Sequence, residues 1–175
     1  FQAEDGIRDI GVTGVQTCAL PILQGELDWV VSDHACCKQE LKIPRRYFGN
    51  IWMAKSGFGG TEYLLPSLVS EGTRRGMDYN HMARVTSWNP AQRYGLNRKG
   101  DIEVGFDADL ALVNPQCTWT IHAADSPSAQ GYTPFEGLEL SARVEQTFLR
   151  GHQIFDHRKG VMGPPRGQYL HRPTA

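Results

Sequence analysis

The run Leu27-Asp28-Trp29-Val30-Val31-Ser32 constrains this chain more than any other stretch: it is short, β-branched and aromatic, and it ends on Asp33-His34. A near-continuous apolar run of that length reads as a strand buried on both faces, as in the parallel sheets of α/β folds. A carboxylate and an imidazole then stand where such a strand leaves its sheet. In α/β barrels that edge gathers catalytic groups, because the loops there converge on one pocket. Two readings are open from the pair alone. Asp33 and His34 are catalytic, or Asp33 caps a turn and His34 is a hydrogen-bonded group in its wall.

Beyond the pair, residues 35–60 are punctuated by Pro44, Gly49, Gly57, Gly59 and Gly60 and carry the basic group Lys42, Arg45 and Arg46, which predicts a long loop. Loops of that length are usually functional or disordered. The spacing of Tyr63, Leu64 and Leu68 predicts a helix over 61–71, and Met82 with Val85 predicts a second over 79–87 that stops before Pro90. Residues 92–96 add one more turn. After Gly100 the pattern turns to short strands at 102–104, 110–113, 118–121, 143–150 and 153–156, an antiparallel or mixed β unit. From residue 160 the chain carries Pro164, Pro165 and Pro173 and is expected to run extended over the surface.

Composition narrows the partners. A chain of 175 residues with 40% hydrophobic content can bury the core of one domain or slightly more. Its net charge is -1 and it has no long Lys/Arg run, so neither a nucleic acid nor a membrane surface is expected as a partner; a small molecule is. No apolar stretch approaches the roughly 20 residues of a membrane span, no signal-peptide pattern opens the chain, and a cytoplasmic location is expected. Cys18, Cys36, Cys37 and Cys117 form no C-x-x-C pair and are expected to be reduced thiols. His81, His122, His152, His157 and His171 show no ligand spacing.

The chain opens on Phe1 rather than Met, so its natural start is expected to be missing. Residues 2–22, QAEDGIRDIGVTGVQTCALPI, resemble the conceptual translation of a sequencing-library adapter, with Ile10 and Gly11 where a sample index would sit. Such a segment is set aside from fold reasoning. Native sequence is expected from Leu23, and residues 1–22 are expected to pack poorly.

Several motifs, taken in order, carry a second resemblance. They are Ser32-Asp33-His34-Ala35, Ser87-Trp88-Asn89-Pro90-Ala91, Tyr94-Gly95-Leu96, Lys99-Gly100-Asp101-Ile102 and Gly105-Phe106-Asp107-Ala108-Asp109-Leu110. Tyr132-Thr133-Pro134-Phe135-Glu136-Gly137 and the VEQTFLRG of residues 144–151 follow. Together these resemble the cyclic amidohydrolases of the dihydroorotase, allantoinase and hydantoinase group, over nearly all of residues 27–173. The resemblance implies an α/β fold in which residues 23–97 end a (β/α)₈ TIM barrel and residues 98–175 supply part of a small β-sandwich. It implies hydrolysis of a cyclic amide by a homo-oligomeric parent enzyme holding a divalent metal, two zinc ions in the full-length protein. Divalent metals lower the pKa of bound water from about 15.7 to about 7, and a neighbouring carboxylate can move the proton. By resemblance that carboxylate is Asp33, as metal ligand and as general base and acid.

The same resemblance places Cys37 and the glycines Gly57, Gly59 and Gly60 at the substrate. Dihydroorotases have a histidine at the position of Cys37 that helps hold the substrate carboxylate, and allantoinases a cysteine; Cys36 replaces the usual proline. Glycine allows close approach because it lacks a Cβ. Cys37 and the loop of residues 42–52 resemble the allantoinase pattern, whereas Gly60-Thr61-Glu62 with Leu65-Pro66 resembles the dihydroorotase one. The hydantoinase or dihydropyrimidinase pattern, with an aromatic residue in place of Cys37, comes third. The family's other metal ligands, a His-x-His pair, a mid-barrel lysine and two later histidines, have no counterpart in this sequence. The chain alone is therefore expected to be inactive. A non-catalytic scaffold subunit of the same fold is the rival, and retention of Asp33 favours the enzyme.

Overall fold

The computed structural model describes residues 21–42, 45–55 and 57–171. Residues 27–32 run extended, yet no other described segment forms a ladder with them. Two bonds tie the run to the helical layer: the Val30 N–H donates to the Val85 carbonyl (3.0 Å) and Asn89 Nδ2 donates to the Asp28 carbonyl (2.6 Å). The strand expected there is corrected accordingly: a strand exists only with neighbours to bond, whatever its apolar content. Val31 is 65% exposed as a result. The long loop beyond it contains helix α1 (Gln39–Lys42) and 3-10 turns at Arg45–Tyr47 and Ile51–Met53, none of which buries a residue.

A 3-10 turn, Thr61–Tyr63, leads into α2 (Leu64–Arg74), whose inner face buries Leu68 and Val69. Asp78 caps α3 (Tyr79–Ala83) by accepting from the His81 N–H at 2.8 Å. The stop expected before Pro90 does not occur. A π-helical turn, Arg84–Trp88, passes straight into α4 (Asn89–Tyr94), with Pro90 in its first turn. In a regular α-helix the Pro90 ring would press on the Thr86 carbonyl. The wider turn, in which the Asn89 N–H donates to the Arg84 carbonyl, relieves that clash. Gly95, at φ 66, ends α4 in the left-handed conformation.

The remaining elements are β1 (Leu110–Asn114), β2 (Trp119–Thr120), a 3-10 turn at Ala123–Asp125, β3 (Glu139–Leu140), β4 (Arg143–Leu149), β5 (His152–Asp156) and β6 (Gly160–Val161). One antiparallel sheet has the order β1-β4-β5-β6, and β2 pairs antiparallel with β3. The strand expected at 102–104 is absent. Its Ile-Glu-Val alternation has no sheet to face, and Ile102 is 84% exposed. Beyond β6 the chain carries no further helix or strand to residue 171 and is mostly exposed. The expected mixture of α and β is present.

One core joins helices to sheet: Leu68, Val69, Met77, Met82 and Val85 pack with Ala142, just before β4. Ser70 stitches the same junction, since its hydroxyl donates to Pro66 O (2.8 Å) and accepts from the Ser141 and Ala142 N–H groups (3.0 Å each). A second cluster, Tyr63, Ile121 and Leu140, lies between the start of α2 and the β2-β3 pair. Of the residues expected to pack poorly, 1–20 lie outside the described residues, but Ile22 is 3% exposed and belongs to the first core. An isoleucine of any origin fills an apolar hollow at the same gain. Among the described residues no helix is long and apolar enough to cross a membrane.

Candidate active site

Where the extended run ends, Asp33 adopts φ 46, a left-handed conformation that costs energy for a residue with a Cβ. Its side chain is exposed, and among the described residues nothing bonds to its carboxylate. His34, by contrast, has partners. Its Nδ1 accepts from the N–H groups of Gly60 and Thr61, both at 3.2 Å, which assigns the ring proton to Nε2. His34 thus clamps the glycine loop to the end of the run, with Ser32 Oγ adding a 3.3 Å contact to Thr61 Oγ1.

Residues 57–60 lie directly beside the segment leaving Asp33, since the Ala35 N–H donates to the Phe58 carbonyl at 2.9 Å. Lys42 donates to the Gly57 carbonyl and stands 4.0 Å above the Phe58 ring. Gly57, at φ 76, faces Ala35 so closely that a Cβ would sit 2.4 Å from the alanine Cβ. Gly59 differs, because its φ lies outside the left-handed region and only space requires a glycine. A Cβ there would lie 2.8 Å from Gln130 Oε1.

A strap of residues 126–132 closes the other side. Gln130 is 3% exposed; its Oε1 accepts from the Gly59 N–H at 2.7 Å and its Nε2 donates to the Tyr132 carbonyl. Ser126 Oγ donates to Glu62 Oε1 at 2.6 Å. Both adjacent thiols meet this strap, Cys36 Sγ at 3.4 Å from Ser128 Oγ and Cys37 Sγ at 3.7 Å from the Tyr132 hydroxyl. The Tyr132 ring packs edge-on to Phe58, centroids 6.4 Å apart. Burial, then the bond to Cys37 and the two neighbouring thiols, push the Tyr132 hydroxyl up to about 12, so it keeps its proton near neutrality.

Cys37, Gly57, Gly59 and Gly60 are therefore gathered around the segment that starts at Asp33. Gln130 and the contact role of Tyr132 escape sequence reasoning, because the bond to Gly59 spans 71 residues and leaves no local pattern. The one usable signal is Gly59 itself, a glycine whose need for space implies a close partner. Among the described residues no three His, Cys, Asp or Glu side chains are grouped to hold a metal ion. A hollow of about 960 Å³ lies elsewhere, between the helices and β1, lined by Leu65, Met82, Pro90, Leu110 and Leu149.

The amidohydrolase family model matches residues 22–154, beginning at the buried Ile22. Allantoinase of Salmonella newport (strain SL254) is 33% identical over 150 residues, 85% of this chain and 32% of that protein. D-hydantoinase from Bacillus sp. AR9 superposes with a TM-score of 0.79 at 30% identity, over 89% of this chain and 34% of that one. D-hydantoinase (dihydropyrimidinase) from Thermus sp. gives 0.73 at 30% identity, over 81% and 31%. The chain spans about a third of the length of the curated relatives it matches. With the family's model running from Ile22 through β4 into β5, the chain belongs to the amidohydrolase family.

Proposed function

We propose that the protein carrying this chain opens the ring of a cyclic ureide or imide by hydrolysing its amide, with Asp33 as metal ligand and as general base and acid. The observation that carries this reading is the Asp33 carboxylate, exposed, without a partner among the described residues, and held on strained backbone beside a glycine wall. Strain of that kind concentrates at functional sites. In this reading residues 23–97 close a (β/α)₈ barrel and residues 98–175 supply part of a β-sandwich, in a cytoplasmic homo-oligomer.

A free carboxylate fits one place in a divalent metal's ligand set, zinc being the proposed ion, and the rest of the set comes from other parts of the full-length protein. When bound, the metal supplies an activated water and polarises the ring carbonyl. Asp33 takes the proton of the water that adds to the carbonyl carbon and returns it to the ring nitrogen as the C–N bond breaks. Residues 57–60 form the wall where backbone approaches the ring, and Cys37, backed by the Tyr132 hydroxyl, lies at its polar end. Allantoin is the first candidate substrate, on the allantoinase-like Cys37 and the curated relatives. Hydantoin is the second, on the likeness to hydantoinase structures, and dihydroorotate the third, on Gly60-Thr61-Glu62.

The test is ring opening of allantoin, hydantoin and dihydroorotate by the full-length protein and its Asp33→Asn variant, with zinc content measured alongside. Turnover of one ring, sensitive to chelators and lowered about 10³-fold by the substitution at an unchanged melting temperature, is the expected result. Full activity in the variant overturns the role of Asp33, and no turnover of any ring favours the scaffold reading. The 175-residue chain assayed in parallel should hold little zinc and open none of the rings.

A further inference from the structure

The N–H groups of the glycine wall are taken from two directions, and the acceptors differ in kind. His34, adjacent to Asp33, takes the N–H groups of Gly60 and Thr61. Gln130 takes that of Gly59 from a segment 71 residues away. Among the described residues it is one of three buried polar side chains, with Ser67 and Ser70. A buried primary amide is retained only if its hydrogen bonds are made, since leaving them unmade costs more than an apolar replacement. Both ends of the Gln130 amide are used, on Gly59 N–H and on the Tyr132 carbonyl. The amide therefore joins the two walls of the site, glycine loop and strap, at fixed separation, and its Oε1 leaves no room for a Cβ on Gly59.

Resting on the reading above, we infer that Gln130 is a positioning residue: by locking Gly59 it sets where the loop backbone meets the ring, and the strap of residues 126–132 thereby tunes substrate fit. Its amide is spent on Gly59 and Tyr132, so it acts through the loop. Its loss acts on ring binding and leaves the proton transfer by Asp33 intact.

Five variants of the full-length protein, the single Gln130→Ala among them, test this. Gln130→Leu keeps much of the volume and loses both bonds; it should raise KM about tenfold, the scale of one buried donor left unpaired, with kcat within about twofold. Gln130→Glu, kept protonated by burial, presents the same acceptor and a donor and should restore KM to within about threefold of the parent protein. Gly59→Ala should raise KM by the collision with Gln130, and the double variant Gly59→Ala/Gln130→Ala should recover part of that loss. Unchanged KM in folded Gln130→Leu, or strictly additive effects of Gly59→Ala and Gln130→Ala, overturns the inference. If Gln130→Leu does not fold, Gln130→Glu and the glycine pair decide. Hydrogen exchange at the Gly59 N–H, faster in the Gln130 variants than in the parent protein, needs no turnover. Should no ring be opened by the parent protein, that exchange still tells whether Gln130 locks the wall, while the proposed activity fails separately.

Discussion

Gly57 and Gly59 sit two residues apart in one loop yet are glycines for different reasons. Gly57 has a left-handed φ of 76, which alone penalises a side chain, and Ala35 crowds it as well. Gly59 has no such backbone demand; a Cβ there would meet Gln130 Oε1 at 2.8 Å and His34 Cε1 at 3.3 Å. Tyr132, on the same strap, permits a prediction that needs no substrate. Its hydroxyl is raised from 10.0 to about 12 by burial and the thiols facing it, so the folded chain holds a proton that the unfolded chain releases above pH 10.0. The stabilisation is complete below pH 10.0 and is lost as pH rises through that window. Tyr132→Phe removes this titration, so its melting temperature should fall less between pH 10.0 and about 12 than that of the parent chain. Parallel pH profiles for the two would show that the tyrosine is not held in its neutral form.

Among the elements, the helices follow the apolar spacing of the sequence more closely than the strands do. Of the residues whose spacing predicts helices, Tyr63, Leu68, Met82 and Val85 are buried and Leu64 is half-buried. A helix needs only its own backbone and one covered face, whereas residues 27–32 and 102–104 need partner strands that local composition does not specify. Pro90 reads in the sequence as a stop, but a π-helical turn carries the helix past it. The start of that helical stretch is set by Asp78, whose carboxylate accepts from the His81 N–H at 2.8 Å. Asp78→Ala should lower stability by about 1 kcal/mol, measured by urea denaturation, with the fold retained. A change indistinguishable from zero would mean that α3 is held by Met82 and its core contacts alone.

Across the whole molecule, the junction of helices and sheet at Ser70, Ala142 and Val85 also takes in Ile22. The stretch that resembles adapter translation thus ends on a residue that the core uses. Deleting residues 1–20 should leave the melting temperature unchanged, whereas deleting through Ile22 removes a buried side chain and should cost about 1.5–3 kcal/mol. If the shorter deletion costs as much, residues 1–20 contribute to the core and the adapter reading falls.

What the sequence determined by itself is local or carried by motif. Amphipathic spacing specified α2 and α3, alternation specified β1, β4 and β5 as strands of an antiparallel or mixed unit, which the structure pairs antiparallel, and the motif series led to the family that the comparisons support. Asp33 and the glycines stood out because their residue types are unusual where they occur. Only tertiary structure decided which groups surround them: that His34 bonds backbone amides, that Gln130 closes on Gly59, and that Cys36 and Cys37 both meet one strap. The reason is physical. Helical and turn preferences are set by neighbours a few residues away, whereas a hydrogen bond across 71 residues exists only once two independent segments have been packed together by the core beneath them.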